Sequence, residues 1–397
     1  MKNLDQQSLE GLISITSRHE TQSSNSVREY SSDPQIPDDL LITIFSLVPA
    51  ESIARFRCVS KTWASILRRS DFTELFLTKS LTRPRLFVAV KSKGKLFFHS
   101  SPQPHNLNNN YSLVATSYHP TFVPDYCPTY ICKPVFGLVL LQRCGIEKRP
   151  MICNPAKGKV RNLPEVPRKG INTPKGIYLG YDPIGKQFKV LCLSMNTSLY
   201  NTHWILTLEY GECSWRSLEP EFNFKEKRSG GVDRDINICI NGVLYFEGCL
   251  EWSFVIVWFD VRSEKFGFIN KNEDMLPKPF AYDCTRPSTL FNYKDKLGIH
   301  CRVERNLVLW VLEDAGNHKW YKHSYVLPPR WSAVPTECMF VGMTSTGEIV
   351  YSWNSCVYFY NLERDTVKRV NIHGLEGIEH PTFINTFVDY AENMNFM

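Results

Sequence analysis

Val255-Ile256-Val257-Trp258-Phe259-Asp260 is a run of β-branched and aromatic side chains that stops at a carboxylate. After the turn Val261-Arg262-Ser263-Glu264-Lys265 the chain resumes with Phe266. An apolar run bounded by turn residues reads as a strand, and two such runs across a short turn read as a hairpin. The same arrangement occurs five times. An apolar strand ends at Asn154, Glu209, Asp260, Asp314 or Asn361, and six positions later Val160, Trp215, Phe266, Trp320 or Val367 opens the next strand. The units recur at intervals of 55, 51, 54 and 47 residues, about the length of one four-stranded propeller blade. Earlier hairpins accompany three of them, at Ile238–Tyr245, Leu290–Ile299 and Phe340–Ile349, and Lys91–Lys95 marks one more ahead of the five. A lone four-stranded sheet cannot bury both apolar faces, whereas a ring of sheets buries every face and leaves short edges. The spacing predicts a large all-β domain over residues 84–394, a β-propeller of six or seven blades. A β-sandwich or two smaller β domains remain as alternatives.

Upstream the periodicity changes. Ile36-Pro37-Asp38-Asp39-Leu40-Leu41 opens a helix, with Pro37 at its first position and two carboxylates at the positive end of its dipole. Leu40, Leu41, Ile44, Phe45 and Val48 follow helical spacing until Pro49. From Glu51 a second helix is expected, with Ile53, Phe56, Val59, Trp63 and Ile66 or Leu67 on one face. A unit of about 45 residues has too little interior to bury all of these groups, so part of this surface is expected to wait for a partner. A small helical cap docked on the β domain is the competing reading. Residues 1–33, rich in Ser, Gln and Asn, are expected to be a disordered leader.

These residues carry a resemblance. Ile36-Pro37-x-Asp39-Leu40, Leu47-Val48-Pro49 and Phe56-Arg57-Cys58-Val59-Ser60-Lys61-x-Trp63 resemble the F-box in its plant form, with Ile36 and Val48 where the family usually has Leu. Asn154-Pro155 through Leu163-Pro164, Gly180-Tyr181-Asp182-Pro183 with Phe188-Lys189-Val190, Asn241-Gly242-Val243-Leu244-Tyr245, and Phe259-Asp260 with Lys265-Phe266 resemble the F-box-associated propeller domain of plant proteins. The resemblance implies a small three-helix F-box over residues 34–79 ahead of the β domain. It implies the substrate receptor of a Skp–cullin–F-box ubiquitin ligase, in the cytoplasm or nucleus. The F-box would bind a Skp-type adaptor, and through it cullin and the RING subunit, while the propeller holds a protein target. Carried over by position, the adaptor-binding candidates are Ile36, Pro37, Leu40, Leu41, Ile44, Leu47, Val48, Pro49, Ile53, Phe56, Val59 and Trp63. One sequence leaves open which of these touch the adaptor and which hold the helices together. A Skp-bound scaffold working without cullin is the alternative function.

Other chemistry finds little support. The net charge of +6 over 397 residues is mild and gives no support to nucleic-acid binding, which usually shows a concentrated basic face; Arg55–Arg69 read as the solvated face of amphipathic helices. No apolar run approaches the ~20 residues of a membrane helix, and the N-terminus lacks a signal-peptide pattern, so a soluble intracellular chain is expected. Thirteen cysteines without CxxC pairs read as free thiols packed as small hydrophobes, Cys58 among them. Gly180-Tyr-Asp-Pro-Ile-Gly185-Lys186-Gln187 nearly spells a P-loop. Gln187 lacks the hydroxyl that holds Mg²⁺, and Phe188–Leu193 reads as a strand, so a β-turn is expected and no nucleotide. His318 and His323 have no nearby Cys pair, and no metal site or other cofactor is expected. Neither a GxSxG elbow nor a convergent Asp, Glu or His pattern on blade-inner strands marks an enzyme housed in the propeller, so no catalytic residue is assigned. Trp331 and Trp353 are candidate ligand anchors. The loops 101–110, 164–175, 221–234 and 271–286 are candidate target contacts.

Overall fold

The repeated turn shows how the sequence builds the β domain. Asp260 Oδ1 accepts a hydrogen bond from Ser263 N at 2.6 Å, and Glu264, at φ 60°, sends the backbone through the left-handed region. Asp314 does the same with Asn317 N at 3.1 Å, Asn361 with Arg364 N at 2.9 Å, and Asn154 with Lys157 N at 3.3 Å. Their left-handed residues are His318 (52°), Asp365 (50°) and Gly158 (61°). A short acceptor that bonds its own chain three residues on closes a turn without help from elsewhere. Glu209 carries an extra methylene and does not share the pattern. There Arg161 of the neighbouring blade donates to the backbone carbonyls of Glu209 and Gly211.

The computed structural model describes residues 36–395, apart from 105–110, 119, 123–128, 144–148, 168–172, 196–201, 210, 227–236, 252, 276–288, 304–305, 328–333, 336, 380 and 382. The expected leader, Trp331, and parts of all four candidate loops lie outside the described residues. The chain divides into two compact units, Met1–Leu41 and Ile42–Met397. In the first, the Pro37 carbonyl accepts from Leu40 N (3.0 Å) and Leu41 N (3.1 Å), which starts a helix.

Four helices are described: α1 (Asp38–Ser46), α2 (Ala50–Phe56), α3 (Lys61–Ile66) and α4 (Ser70–Leu81). The single helix expected from Glu51 to Leu67 is two. Ser60 is extended, and its side chain caps α3 by accepting from Trp63 N at 3.1 Å. A serine in this role competes with continuation of the helix.

The strands form six sheets. The first blade contains β1 (Arg85–Ser92) and β2 (Lys95–Pro102). The next strand, β3 (Tyr111–Val114), leaves for the sixth blade, and β4 (Thr116–Ser117) and β5 (Thr121–Phe122) return to β2. The second blade is β6 (Thr129–Ile131), β7 (Val139–Arg143), β8 (Met151–Asn154) and β9 (Lys159–Asn162). The third is β10 (Thr173–Asp182), β11 (Gln187–Met195), β12 (His203–Leu208) and β13 (Arg216–Leu218). The fourth holds β14 (Lys225–Glu226), β15 (Asn237–Ile240), β16 (Val243–Leu250), β17 (Ser253–Asp260) and β18 (Phe266–Asn270). The fifth is β19 (Thr289–Tyr293), β20 (Lys296–Val303), β21 (Asn306–Asp314) and β22 (Lys319–Val326). The sixth is β23 (Met339–Met343), β24 (Glu348–Trp353), β25 (Cys356–Asn361) and β26 (Thr366–His373), with β3 parallel to β26. The last strand, β27 (Phe383–Tyr390), pairs antiparallel with β1 and completes the first blade.

Alternation along each strand sends successive side chains to opposite neighbours. Leu86, Val88 and Val90 pack with Val350 and Phe359 of the sixth blade, while Phe87 and Ala89 pack with Val139 and Leu141 of the second. Four more apolar clusters join blades two and three, three and four, four and five, and five and six. An open arc of six sheets would have five such seams. Six seams among six sheets make a closed ring, a six-bladed β-propeller.

Candidate functional site

The helical segment separates its apolar residues by burial. Phe45, Phe56 and Trp63 form an aromatic trio, with ring centroids 5.3 Å (Phe45–Phe56), 4.8 Å (Phe45–Trp63) and 5.6 Å (Phe56–Trp63) apart. Ile53 is fully buried beside them in sequence, and Ala50, Ile66 and Leu67 are buried too. Ile44 (43% exposed), Leu47 (51%) and Val59 (41%) instead face solvent, as does Pro49, and Val48 and Trp63 are half-buried. In the first unit Ile36, Pro37 and Leu40 are exposed and Leu41 is buried. Of the twelve candidates, seven are exposed, three are buried and two are intermediate.

Backbone capping holds this arrangement. Arg83 donates to the Ser46 carbonyl at 2.6 Å and to that of Leu47, placing a cation at the C-terminal end of α1. Arg57 donates to the Leu67 carbonyl at 2.9 Å. At the other end of the segment, Ala50 N at the start of α2 donates to Glu392 Oε2 at 3.1 Å. Sequence reasoning missed Glu392. No local signal could have found it, because 342 residues separate it from Ala50.

The remaining motifs fall into place as structure. Gly180–Gln187 spans the hairpin between β10 and β11, where Asp182 Oδ1 accepts from Ile184 N at 2.9 Å and Lys186 pairs with Glu74 on α4 at 2.7 Å. His318 accepts from Asn270 N and stacks on Phe268, and His323 stacks on Tyr293. Among the described residues, no group of three or more His, Cys, Asp or Glu side chains is placed to hold a metal ion. Burial raises the thiols of Cys153 and Cys192 to about 12, so both pack as protonated, apolar groups. Cys58 departs from the expectation: it is exposed, on the turn after α2. Trp353, 40% exposed, stands at the end of β24. No helix among the described residues is long and apolar enough to cross a membrane.

Comparison with known proteins agrees with this architecture. Residues 34–75 match the F-box domain, and residues 85–391 match the F-box associated beta propeller domain. The F-box protein At1g53790 of Arabidopsis thaliana is 42% identical over an alignment covering 91% of this chain and 82% of its own length. The F-box protein DOR of Arabidopsis thaliana is 40% identical, covering 91% and 94%. The F-box protein At5g65850 of the same plant is 38% identical, covering 100% and 99%. F-box proteins are in general non-catalytic adaptors. With an F-box ahead of a propeller and relatives aligned over nearly its whole length, the chain belongs to the F-box proteins that carry an F-box associated beta propeller domain.

Proposed function

We propose that this chain is the substrate receptor of a Skp–cullin–F-box ubiquitin ligase. The observation that carries the reading is the split within the apolar helical face. Phe45, Ile53 and Phe56 turn inward, while Ile44, Leu47, Pro49 and Val59 stay in water. Exposed aliphatic groups this concentrated, on a segment with its own aromatic core, are what a partner interface requires. The exposed candidates, with Ile36, Pro37 and Leu40 of the first unit, would contact a Skp-type adaptor. Ile53 and Phe56 would hold the aromatic core of the second unit together, and Leu41 is the buried candidate of the first. The propeller would bind the target protein and work by proximity, raising the effective concentration of target lysines near the conjugating enzyme. No bond is made or broken by the receptor, and it acts in the cytoplasm or nucleus without a cofactor.

Co-expression with a Skp-type adaptor and pull-down tests this. Wild type is expected to retain the adaptor and Leu47→Asp to lose it, with hydrogen exchange in α2 and α4 unchanged between the two. Adaptor retention by both Leu47→Asp and Ile44→Asp would sink the proposed surface. Adaptor without cullin in the wild-type complex would move the chain to the scaffold reading.

A further inference from the structure

Glu392, 4% exposed, gathers groups from three distant parts of the chain. Its Oε2 accepts from Ala50 N at 3.1 Å, at a helix start where Pro49 supplies no side-chain cap. Its Oε1 accepts from the Tyr118 hydroxyl at 2.7 Å, and Arg85 Nε lies 4.0 Å from the same oxygen. Ser100 Oγ ties these together, 2.6 Å from the Tyr118 hydroxyl and accepting from Arg85 Nε at 2.8 Å. The backbone amide of Glu392 donates to Ser80 Oγ on α4 at 2.7 Å.

The flanking residues are tied down as well. Asn154 Nδ2 donates to the Asn393 carbonyl at 3.0 Å, and Asn393 Nδ2 donates to the Phe136 carbonyl at 2.7 Å. Thr73 Oγ1 lies 3.5 Å from Asn395 Oδ1. A Cβ at Gly137 would stand 2.5 Å from Asn393 Cβ and 2.6 Å from the Ala391 carbonyl oxygen, so only glycine lets the segment pass. A buried carboxylate is tolerated when hydrogen bonds and a counter-charge surround it. Here those partners are divided between the helices and the first blade.

We propose that Ala391–Asn395 is an internal clasp. Strand β27 closes the ring and delivers Glu392 to the start of α2 and to α4, so the helices stay ordered only while the first blade is complete. The contacts engage Ala50, Thr73 and Ser80 and leave Ile44, Leu47, Pro49 and Val59 open. Recruitment of the ligase would then depend on an intact target-binding domain. That consequence rests on the adaptor-binding reading, and the clasp itself does not.

Hydrogen exchange on the full chain tests the clasp without any adaptor. In Glu392→Ala, amides of Ala50–Phe56 and Ser70–Leu81 are expected to exchange at least about tenfold faster, while those of Val255–Phe259 in the fourth blade keep their rates. Glu392→Gln, which keeps one acceptor oxygen, is expected to fall between. Where Glu392→Ala accumulates no folded protein, Ser80→Ala gives the same reading through the Glu392 amide. Unchanged helix protection in the folded variants would overturn the clasp. So would loss of protection in the fourth blade in step with the helices, which marks general destabilisation. Adaptor pull-down of the same proteins separates failure of the clasp from failure of the receptor reading.

Discussion

Single residues in this protein carry two kinds of apolar surface that composition cannot tell apart. Ile44 and Ile53 have the same side chain and the same helical context, yet one is 43% exposed and the other fully buried. Their difference comes from where α1 and α2 lie on the aromatic trio, and that is a property of tertiary packing. Which residues form the apolar helical face was therefore legible in the sequence, but its division into interior and solvent-exposed surface was not. Titratable side chains show the same dependence on surroundings. His203, 1% exposed, lies between Phe224 and Phe266 with centroids 5.1 and 5.7 Å away, and burial pushes its imidazole down to about 4. The unfolded chain takes up this proton near 6.5 and the folded chain only near 4. Stability from this group is thus complete above about pH 6.5 and is lost as pH falls towards 4, by about 3 kcal/mol in all. The loss in urea stability between pH 7.5 and pH 4.5 should shrink in His203→Phe. An equal loss in wild type and variant would show that His203 is not responsible.

At the scale of elements, the repeated turn was the most readable feature, because its chemistry is local. Asn154, Asp260, Asp314 and Asn361 each serve an amide three residues on, so residue type and spacing suffice to find them. Less readable was what fills the left-handed position. Only one of the four turns uses glycine; Asp365 accepts from Tyr360 within its own hairpin at 2.8 Å, and the other two place a side chain that reaches a neighbouring blade. Glu264 reaches Lys189 and Arg216 of the third blade, and His318 stacks on Phe268 of the fourth. The glycine turn has no such side chain and isolates the conformational term. Gly158→Asn is expected to hold the denaturation midpoint nearly constant, since Asn tolerates φ near +60°. Gly158→Val should lower stability by about 1–2 kcal/mol. Equal midpoints for the two variants would exclude a conformational cost at Gly158. Trp215 and Trp320, at two of the strand-opening positions, also work across blades, donating to the backbone carbonyls of Pro164 at 2.9 Å and Asn270 at 2.8 Å. The spacing located them, but their hydrogen bonds depend on the neighbouring blade.

The whole molecule depends on a strand that the repeat did not announce. The five sequence units are the outer strand pairs of blades two to six, and the first blade escapes the count because its strands come from both ends of the β domain. Blade number was open between six and seven for that reason. In β27, Ile384 and Val388 lie against the sixth-blade seam, while Phe387 and Tyr390 enter the seam with the second. A bulge at Asp389, φ 55°, shifts the register and lets one short strand serve both. Gln103 brackets that residue, donating to Asp389 Oδ1 at 2.9 Å and accepting from Asp389 N at 3.0 Å. A chain ending at Pro381 would lose two of six seams in part and expose Phe87. It is expected to unfold at much lower denaturant than the full chain, and a peptide of residues 382–397 added in trans should recover part of the difference. An unshifted midpoint in the truncated chain would mean that the ring does not need its closing strand.

Synthesis runs in the opposite order to this dependence. Ala50 leaves the ribosome 342 residues before Glu392, which at about 5–20 residues per second is roughly 20–70 s. Throughout that interval the nascent helices show their aliphatic groups to solvent while the proposed clasp residue has yet to be translated. On the clasp proposal, a ribosome that stalls in the sixth blade releases a chain whose helices lack their anchor. Chaperone contact during those seconds, and degradation of the stalled product, are expected consequences of placing the proposed clasp so far downstream of the helices it would fasten.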